Sequence, residues 1–130
     1  VRVFPGLDPR LLHGALRAGV RGVVLEAYGT GNIPHLENSL LPVLDEAAQR
    51  DVPVVIVSQC ARGAVDLARY QGGAAGARAG AVGAGTMTAE AAVAKLMIAL
   101  GRAEGPRVVA AREAFAASWA GEAAALGSRS

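Results

Sequence analysis

The stretch that decides the fold is VPVVIVSQC, residues 52–60. Its centre, residues 54–57, is apolar at every position, whereas a strand with one face in water alternates apolar and polar residues. An uninterrupted apolar run between Pro53 and the polar Ser58 is typical of a strand that is buried on both faces of a parallel sheet. Because parallel strands need crossover connections, this run predicts an α/β fold.

The flanking segments predict the other layers of that fold. Residues 1–4 and 23–25 read as strands on either side of a helix that is capped by Asp8, opened by Pro9 and ended near Ala18, which is a βαβ unit. Further helices are predicted over residues 36–50, 72–79 and 89–100, and Thr86 or Thr88 is expected to cap the helix over residues 89–100. A brief fourth strand is predicted over residues 81–82. Pro106 is expected to open a last helix that contains Phe115 and Trp119. The prediction is a three-layer α/β/α domain, Rossmann-like or flavodoxin-like, with a small parallel sheet of about four strands and helices on both faces.

Length and composition bound the function classes. The chain has 130 residues, enough for one domain, which we assign to residues 1–126; residues 127–130 are predicted to be a flexible tail of the kind that cloning adds. The net charge of +2 is spread along the chain, so nucleic acid is a poor candidate for a partner. No apolar stretch reaches the roughly 20 residues of a membrane span, and the single Cys60 favours a reducing, cytoplasmic setting. A start at Val1 suggests a piece of a longer polypeptide.

Ligands of open parallel sheets bind at the carboxyl ends of the strands, which directs attention to the loops over residues 26–34 and 58–66. The first loop contains two glycines and an asparagine, which permit unusual backbone conformations and leave amides free for a polar ligand. The second begins with Ser58, Gln59 and Cys60, polar side chains that are costly beside a core unless they meet backbone or a ligand.

Simpler interpretations exist for each candidate residue. The Gly29-Thr30-Gly31 segment lacks the spacing of a dinucleotide or phosphate fingerprint and reads as a tight turn, with Asn32 as a turn residue. Cys60 has no histidine near it in sequence and reads as a packed thiol. Glu26 ends a buried strand and needs a charge partner, for which the candidates are Arg62 and Lys95. No metal-ligand spacing is present, so neither a metal nor a cofactor is expected.

Taken together, four stretches resemble the C-terminal domain of the asparaginase and glutaminase family, in its cytoplasmic type I form. The matching stretches are FPG at residues 4–6, GVVLEAYGTGNIP at 22–34, SQCARGAVDLARY at 58–70 and AGAVGAGTMTAEAAVAKL at 79–96. In that family the nucleophilic threonine lies on an amino-terminal domain, in TGGT-like and HGTD-like motifs that this sequence lacks. The resemblance therefore implies a domain without catalytic residues, which makes dimer contacts and closes a neighbouring active site of an enzyme that converts L-asparagine to L-aspartate and ammonia.

The resemblance also implies which residues and partners take part. The residues implied to contact substrate or a regulatory ligand are Tyr28, Gly29, Thr30, Gly31, Asn32, Ser58, Gln59 and Cys60. The implied partners are an amino-terminal asparaginase domain, a second subunit, and L-asparagine as ligand of the full protein, with neither nucleic acid nor a membrane among them. Some type I members bind asparagine at a regulatory site through an arginine whose place is held here by Glu26.

Two other function classes stay open at this point. The first is a stand-alone amino-acid-binding or oligomerisation module with the same fold and no catalysis. The second is the related glutamine amidotransferase subunit, which the GNIP and SQC motifs disfavour.

Overall fold

The computed structural model describes residues 1–60, 64–68 and 71–122. Arg62 and the predicted tail over residues 127–130 lie outside this range. In chain order the elements are α1 (Pro9–Arg17), β1 (Val23–Ala27), α2 (Leu41–Gln49), β2 (Val54–Ser58), α3 (Gln71–Arg78), β3 (Val82–Gly83), α4 (Ala89–Arg102) and α5 (Arg107–Ala116). None of the helices in the described range is long and apolar enough to cross a membrane.

The sheet is parallel and has the strand order β1-β2-β3. Leu25 lies opposite Ile56, and Val55 lies opposite Val82. The predicted first strand, residues 1–4, forms only a single parallel bridge between Arg2 and Glu26 on the outer side of β1. The sheet thus has three strands where about four were predicted, because the turn at residues 5–6 diverts the chain after one bridge.

The strands separate two apolar cores, which confirms the double burial that residues 54–57 predict. Val54 and Ile56 face a core that contains side chains of α1 and α2. Val55 and Val57 alternate to the other face and pack with side chains of α4 and α5. The three-layer α/β/α class with helices on both faces is confirmed.

Side-chain caps set the helix boundaries. Asp8 caps α1 by accepting a hydrogen bond from the Arg10 N–H at 2.9 Å, as predicted, and Thr88 rather than Thr86 caps α4, accepting from the Ala91 N–H at 3.2 Å. The second helix begins at Leu41 rather than at residue 36, since the left-handed Asn38, with a φ of 50°, interrupts any earlier helical turn.

A side chain distant in sequence caps the last helix, α5. Asp51, in the turn before β2, accepts hydrogen bonds from the first backbone N–H groups of α5, from Arg107 at 2.7 Å and from Val108 at 3.0 Å. These bonds hold the pKa of the Asp51 carboxyl below its usual value. Helix α5 contains Phe115 as predicted but ends at Ala116, so that Trp119 lies beyond it.

Candidate functional site

The loop that follows β1 is closed by its own backbone. The Tyr28 N–H donates to the Asn32 carbonyl at 3.0 Å, and the Gly31 and Asn32 N–H groups both donate to the Tyr28 carbonyl at 2.9 Å. Gly29 and Gly31 have φ angles of 48° and 108°, which residues with a Cβ adopt only with strain. The tight-turn interpretation of this segment is confirmed, and the turn places residues 28–32 at the carboxyl end of β1.

The segment Ser58-Gln59-Cys60, at the carboxyl end of β2, connects this loop to neighbouring backbone groups by hydrogen bonds. The Ser58 hydroxyl donates to the Gly29 carbonyl and accepts from the Cys60 N–H at 3.0 Å. The Gln59 side-chain amide donates to the carbonyls of Val3 at 2.6 Å and Glu26 at 2.7 Å. Two of the three polar side chains therefore satisfy backbone groups, whereas the Cys60 side chain is exposed.

Behind the loop lie two polar atoms without a hydrogen-bond partner in the described range, Thr30 Oγ1 and Asn32 Oδ1, both shielded from solvent. Asn32 is pressed against the start of α3, where a Cβ atom placed on Gly72 would lie 2.4 Å from Asn32 Oδ1. The side-chain oxygen of Asn32 thus faces into the domain, and a glycine at position 72 is what makes room for it.

The structure also identifies loop contacts that the sequence did not. The Asp66 N–H donates to the Thr30 carbonyl at 2.9 Å, and a Cβ on Gly31 would lie 2.8 Å from Val65. Gly72 and Gly73 of α3 contact the same loop. Their one signal in the sequence is the unusual density of glycine in a helical segment, which indicates close packing but not the packing partner.

The charge partners differ from the predicted ones. Glu26 pairs with Arg2, with 3.5 Å between Arg2 Nε and Glu26 Oε2, and Lys95 is not its partner. Lys95 is 3% exposed on the inner face of α4, where its Nζ donates to the Ala117 carbonyl and to Glu122. The pairing of Glu26 with Lys95 is therefore wrong, because the segment after α5 wraps over Lys95 and supplies its acceptors.

Titratable side chains are few at this edge. Across residues 1–60, 64–68 and 71–122 no three His, Cys, Asp or Glu side chains converge in a way that could hold a metal ion. His35 Nδ1 lies 3.3 Å from the Ile33 carbonyl oxygen, and His13 lies on α1, where it pairs with Glu46. The described residues of this edge thus contain no paired nucleophile and base.

The fold and this edge together define a three-layer domain of the parallel α/β class with polar loops at the carboxyl ends of its strands. The chain belongs to the asparaginase and glutaminase family, because the family model "Glutaminase/Asparaginase C-terminal domain" matches residues 1–115.

Known relatives agree with this membership. The chain is 48% identical over 101 residues to the L-asparaginase of Thermococcus kodakarensis, covering 78% of this chain and 30% of the relative. It is 34% identical over 122 residues to a glutamyl-tRNA(Gln) amidotransferase subunit of Methanothermobacter thermautotrophicus, covering 94% of this chain and 27% of the relative. The solved structure of the Thermococcus enzyme superposes with a TM-score of 0.87 at 42% identity, covering 98% of this chain and 37% of that one. The chain thus spans about a third of these relatives.

Proposed function

We propose that this chain serves as the C-terminal domain of an L-asparaginase, in which it contributes to subunit contacts and closes a neighbouring active site. The observation that carries the proposal is the superposition on the Thermococcus L-asparaginase over 98% of the chain. Hydrolysis of L-asparagine to L-aspartate and ammonia would then depend on a threonine nucleophile of an amino-terminal domain. A cytoplasmic location is part of this proposal, since the one cysteine is exposed as a free thiol.

The edge loops suit a closing role. Residues 28–32 are fixed by three internal backbone hydrogen bonds and by the Ser58 hydroxyl, so the loop presents one conformation to a partner. A pre-ordered loop loses little conformational entropy when a ligand or a second subunit meets it. Tyr28, Gly29 and Cys60 are the residues that we expect to face that partner, because they are only partly buried at this edge or exposed.

Glu26 argues against the regulatory asparagine site of the type I enzymes. A carboxylate at this position repels the carboxylate of a free amino acid, where an arginine would attract it. Arg2 partly neutralises Glu26 but lies on its outer side with a side chain that is 62% exposed. We therefore expect no cooperative response to asparagine from this domain.

A chimaera tests the proposed function. This chain replaces the matching C-terminal segment of the Thermococcus L-asparaginase, and ammonia release from L-asparagine is measured for the chimaera and for the chain alone. We expect turnover by the chimaera and none by the chain. Turnover by the isolated chain, or a correctly folded chimaera without activity, would contradict the proposal. A preference for L-glutamine would favour the amidotransferase class, which the 34% identity to an amidotransferase component over 94% of this chain supports as second candidate.

A loop variant then tests the closing role within the chimaera. Ser58→Ala removes the hydroxyl that bonds the Gly29 carbonyl, and the loss of one such bond is worth about 0.5–1.5 kcal/mol. We expect a KM that is roughly 2- to 10-fold higher with little change in kcat. Ser118→Ala is the matched control, because the Ser118 hydroxyl contacts Glu122 on the segment that wraps over Lys95.

A further inference from the structure

Gln59 connects separate segments at the carboxyl edge of the sheet. Its backbone N–H donates to the Ala27 carbonyl at 3.0 Å. Its side-chain Nε2 donates to the carbonyl oxygen of Val3 at 2.6 Å and to that of Glu26 at 2.7 Å. Glu26 and Ala27 belong to β1, whereas Val3 lies in residues 1–4, which we call the entry segment. One residue after β2 thus joins the entry segment to β1.

Both donors of the Gln59 side chain are used within the domain. A carboxamide has two N–H donors, and the carbonyls of Val3 and Glu26 take both of them. The reversed amide would place its oxygen against two carbonyl oxygens, so the hydrogen bonds assign the nitrogen and the oxygen. The amide nitrogen of Gln59 can therefore act on a ligand only through the backbone that it holds.

The residue before Gln59 extends the connection to the loop after β1. We call residues 28–32 the closing loop, and the Ser58 hydroxyl donates to the Gly29 carbonyl within it. The same hydroxyl accepts from the Cys60 N–H at 3.0 Å, which fixes its orientation. The adjacent side chains of Ser58 and Gln59 therefore link the closing loop and the entry segment.

The entry segment depends on this link because its own pairing with β1 is short. It forms a single parallel bridge, between Arg2 and Glu26. The Glu26 carbonyl accepts from the Val3 N–H at 2.9 Å as well as from the Gln59 amide, which its two lone pairs permit. Without Gln59 the Val3 carbonyl would lose the bond that the amide gives it, although the Val3 side chain is buried at 1% exposure.

We propose that Gln59 is a positioning residue, which fixes the closing loop relative to the entry segment and so sets how the loop meets a substrate. The inference rests on the proposed function, because in an L-asparaginase with a preceding amino-terminal domain the chain enters this domain through the entry segment. Its amide nitrogen does not contact substrate. It holds the Glu26 carbonyl, two residues before Tyr28 of the closing loop, in register with Val3.

Amide hydrogen exchange in the 130-residue chain tests the link without an activity measurement. Gln59→Met keeps the length of the side chain and removes both donors. We expect the Val3 and Glu26 N–H groups to exchange roughly tenfold faster, and the Gly31 N–H of the closing loop to exchange faster as well. Gln49→Met is the matched control, since Gln49 is exposed at the end of α2 and its replacement should leave all three rates unchanged. Faster exchange at Val3 with no change at Gly31 would overturn the proposal.

The chimaera with the Thermococcus L-asparaginase tests the effect on the reaction. We expect Gln59→Met to raise KM for L-asparagine roughly 3- to 10-fold with little change in kcat, because a misplaced loop weakens binding and leaves the nucleophile intact. Leu96→Ala is the comparison for a loss of stability alone. Leu96 is 4% exposed in the core between the sheet and α4, so its truncation should lower the unfolding midpoint and leave KM unchanged.

The two measurements separate this inference from the proposed function. A chimaera that carries the unchanged chain and releases no ammonia would contradict the proposed function, and the exchange rates of the chain alone would still decide on Gln59. An active chimaera whose KM is the same with and without Gln59→Met would overturn the inference and leave the proposed function standing. A lower kcat at unchanged KM would overturn it too, because Gln59 would then act on the chemical step.

Discussion

At the scale of single residues, Gly72 has no room for a side chain. A Cβ atom at this position would lie 2.4 Å from Asn32 Oδ1, 2.4 Å from the Ile33 carbonyl oxygen and 2.9 Å from His35 Nδ1. We expect Gly72→Ala to lower the free energy of unfolding by about 1–3 kcal/mol in urea denaturation, since the backbone oxygen of Ile33 cannot move aside without shifting the loop.

Gly14 supplies the control for this prediction. It lies within α1, and a Cβ there would meet nothing within 4 Å. Gly14→Ala should raise the free energy of unfolding by up to about 1 kcal/mol, because alanine loses less backbone entropy than glycine in a helix. If both substitutions changed the free energy of unfolding in the same direction, helix propensity rather than the contact of position 72 with the loop would determine the effect of Gly72→Ala.

At the scale of elements, one carboxylate fastens α1 to α2. Glu46 of α2 is hydrogen-bonded by His13 of α1 and by Arg50, whose Nε lies 2.8 Å from Glu46 Oε1. The hydrogen bond from His13 is the largest of the causes that hold the pKa of Glu46 below 4.5; desolvation opposes it, and the bond from Arg50 adds to it. Glu46 thus links stability to pH.

The sign of that linkage is set by the lower pKa in the folded state. The unfolded chain takes up the proton first, so the stabilisation by Glu46 is fully present above pH 4.5 and is lost as the pH falls through the folded pKa. We expect the difference in unfolding free energy between the wild type and Glu46→Gln to shrink below pH 4.5. Asp45→Asn is the control, since Asp45 is exposed and pairs with nothing in the described range; a difference that does not change with pH for Glu46→Gln would refute the prediction.

A second set of hydrogen bonds joins α4 to the segment after α5. Glu122 accepts hydrogen bonds from Lys95 and from the Trp119 and Ala120 N–H groups, and together these donors hold its pKa far below the usual range. Lys95→Met would remove the buried cation that binds this segment to α4. We expect a loss of about 1–3 kcal/mol of unfolding free energy in urea denaturation, which is usual when hydrogen bonds of a buried charged group are lost.

A double-mutant cycle with Glu122→Gln isolates the pair. The two changes should be clearly non-additive, since they remove the same interaction, and unfolding is followed by the fluorescence of Trp119, the one tryptophan of the chain. Arg112→Met on the exposed side of α5 serves as the control and should alter stability by less than about 0.5 kcal/mol. Strict additivity would mean that Lys95 acts through packing alone.

At the scale of the whole molecule, the sheet couples two cores that share its strands. Val54 and Ile56 belong to one core and Val55 and Val57 to the other, so neither core can open without exposing the same strand. Leu44→Ala on α2, across the sheet from Trp119, should cost about 2–5 kcal/mol. We expect the unfolding transition of this variant to have the same urea midpoint by Trp119 fluorescence and by far-ultraviolet circular dichroism, and this midpoint to be lower than that of the wild type. Separate midpoints would mean that the two layers unfold independently.

Much of this architecture follows from local sequence. The apolar run at residues 54–57 determined a strand buried on both faces, Asp8-Pro9 determined the start of α1, and the glycines of residues 29–31 determined a tight turn. These features depend on side-chain period, caps and allowed backbone angles, which act over a few neighbouring residues. The same locality explains why the two loops at the carboxyl edge could be singled out before the fold was known.

Other features were decided by tertiary structure alone. Lys95 is buried because Glu122, 27 residues away, reaches over it. Glu26 takes Arg2 as partner because the first residues lie beside β1, and Gly72 is required because Asn32 occupies its space. Local sequence patterns do not predict such pairings, because the energy of a buried charge or a close contact depends on which distant elements the folded chain brings together.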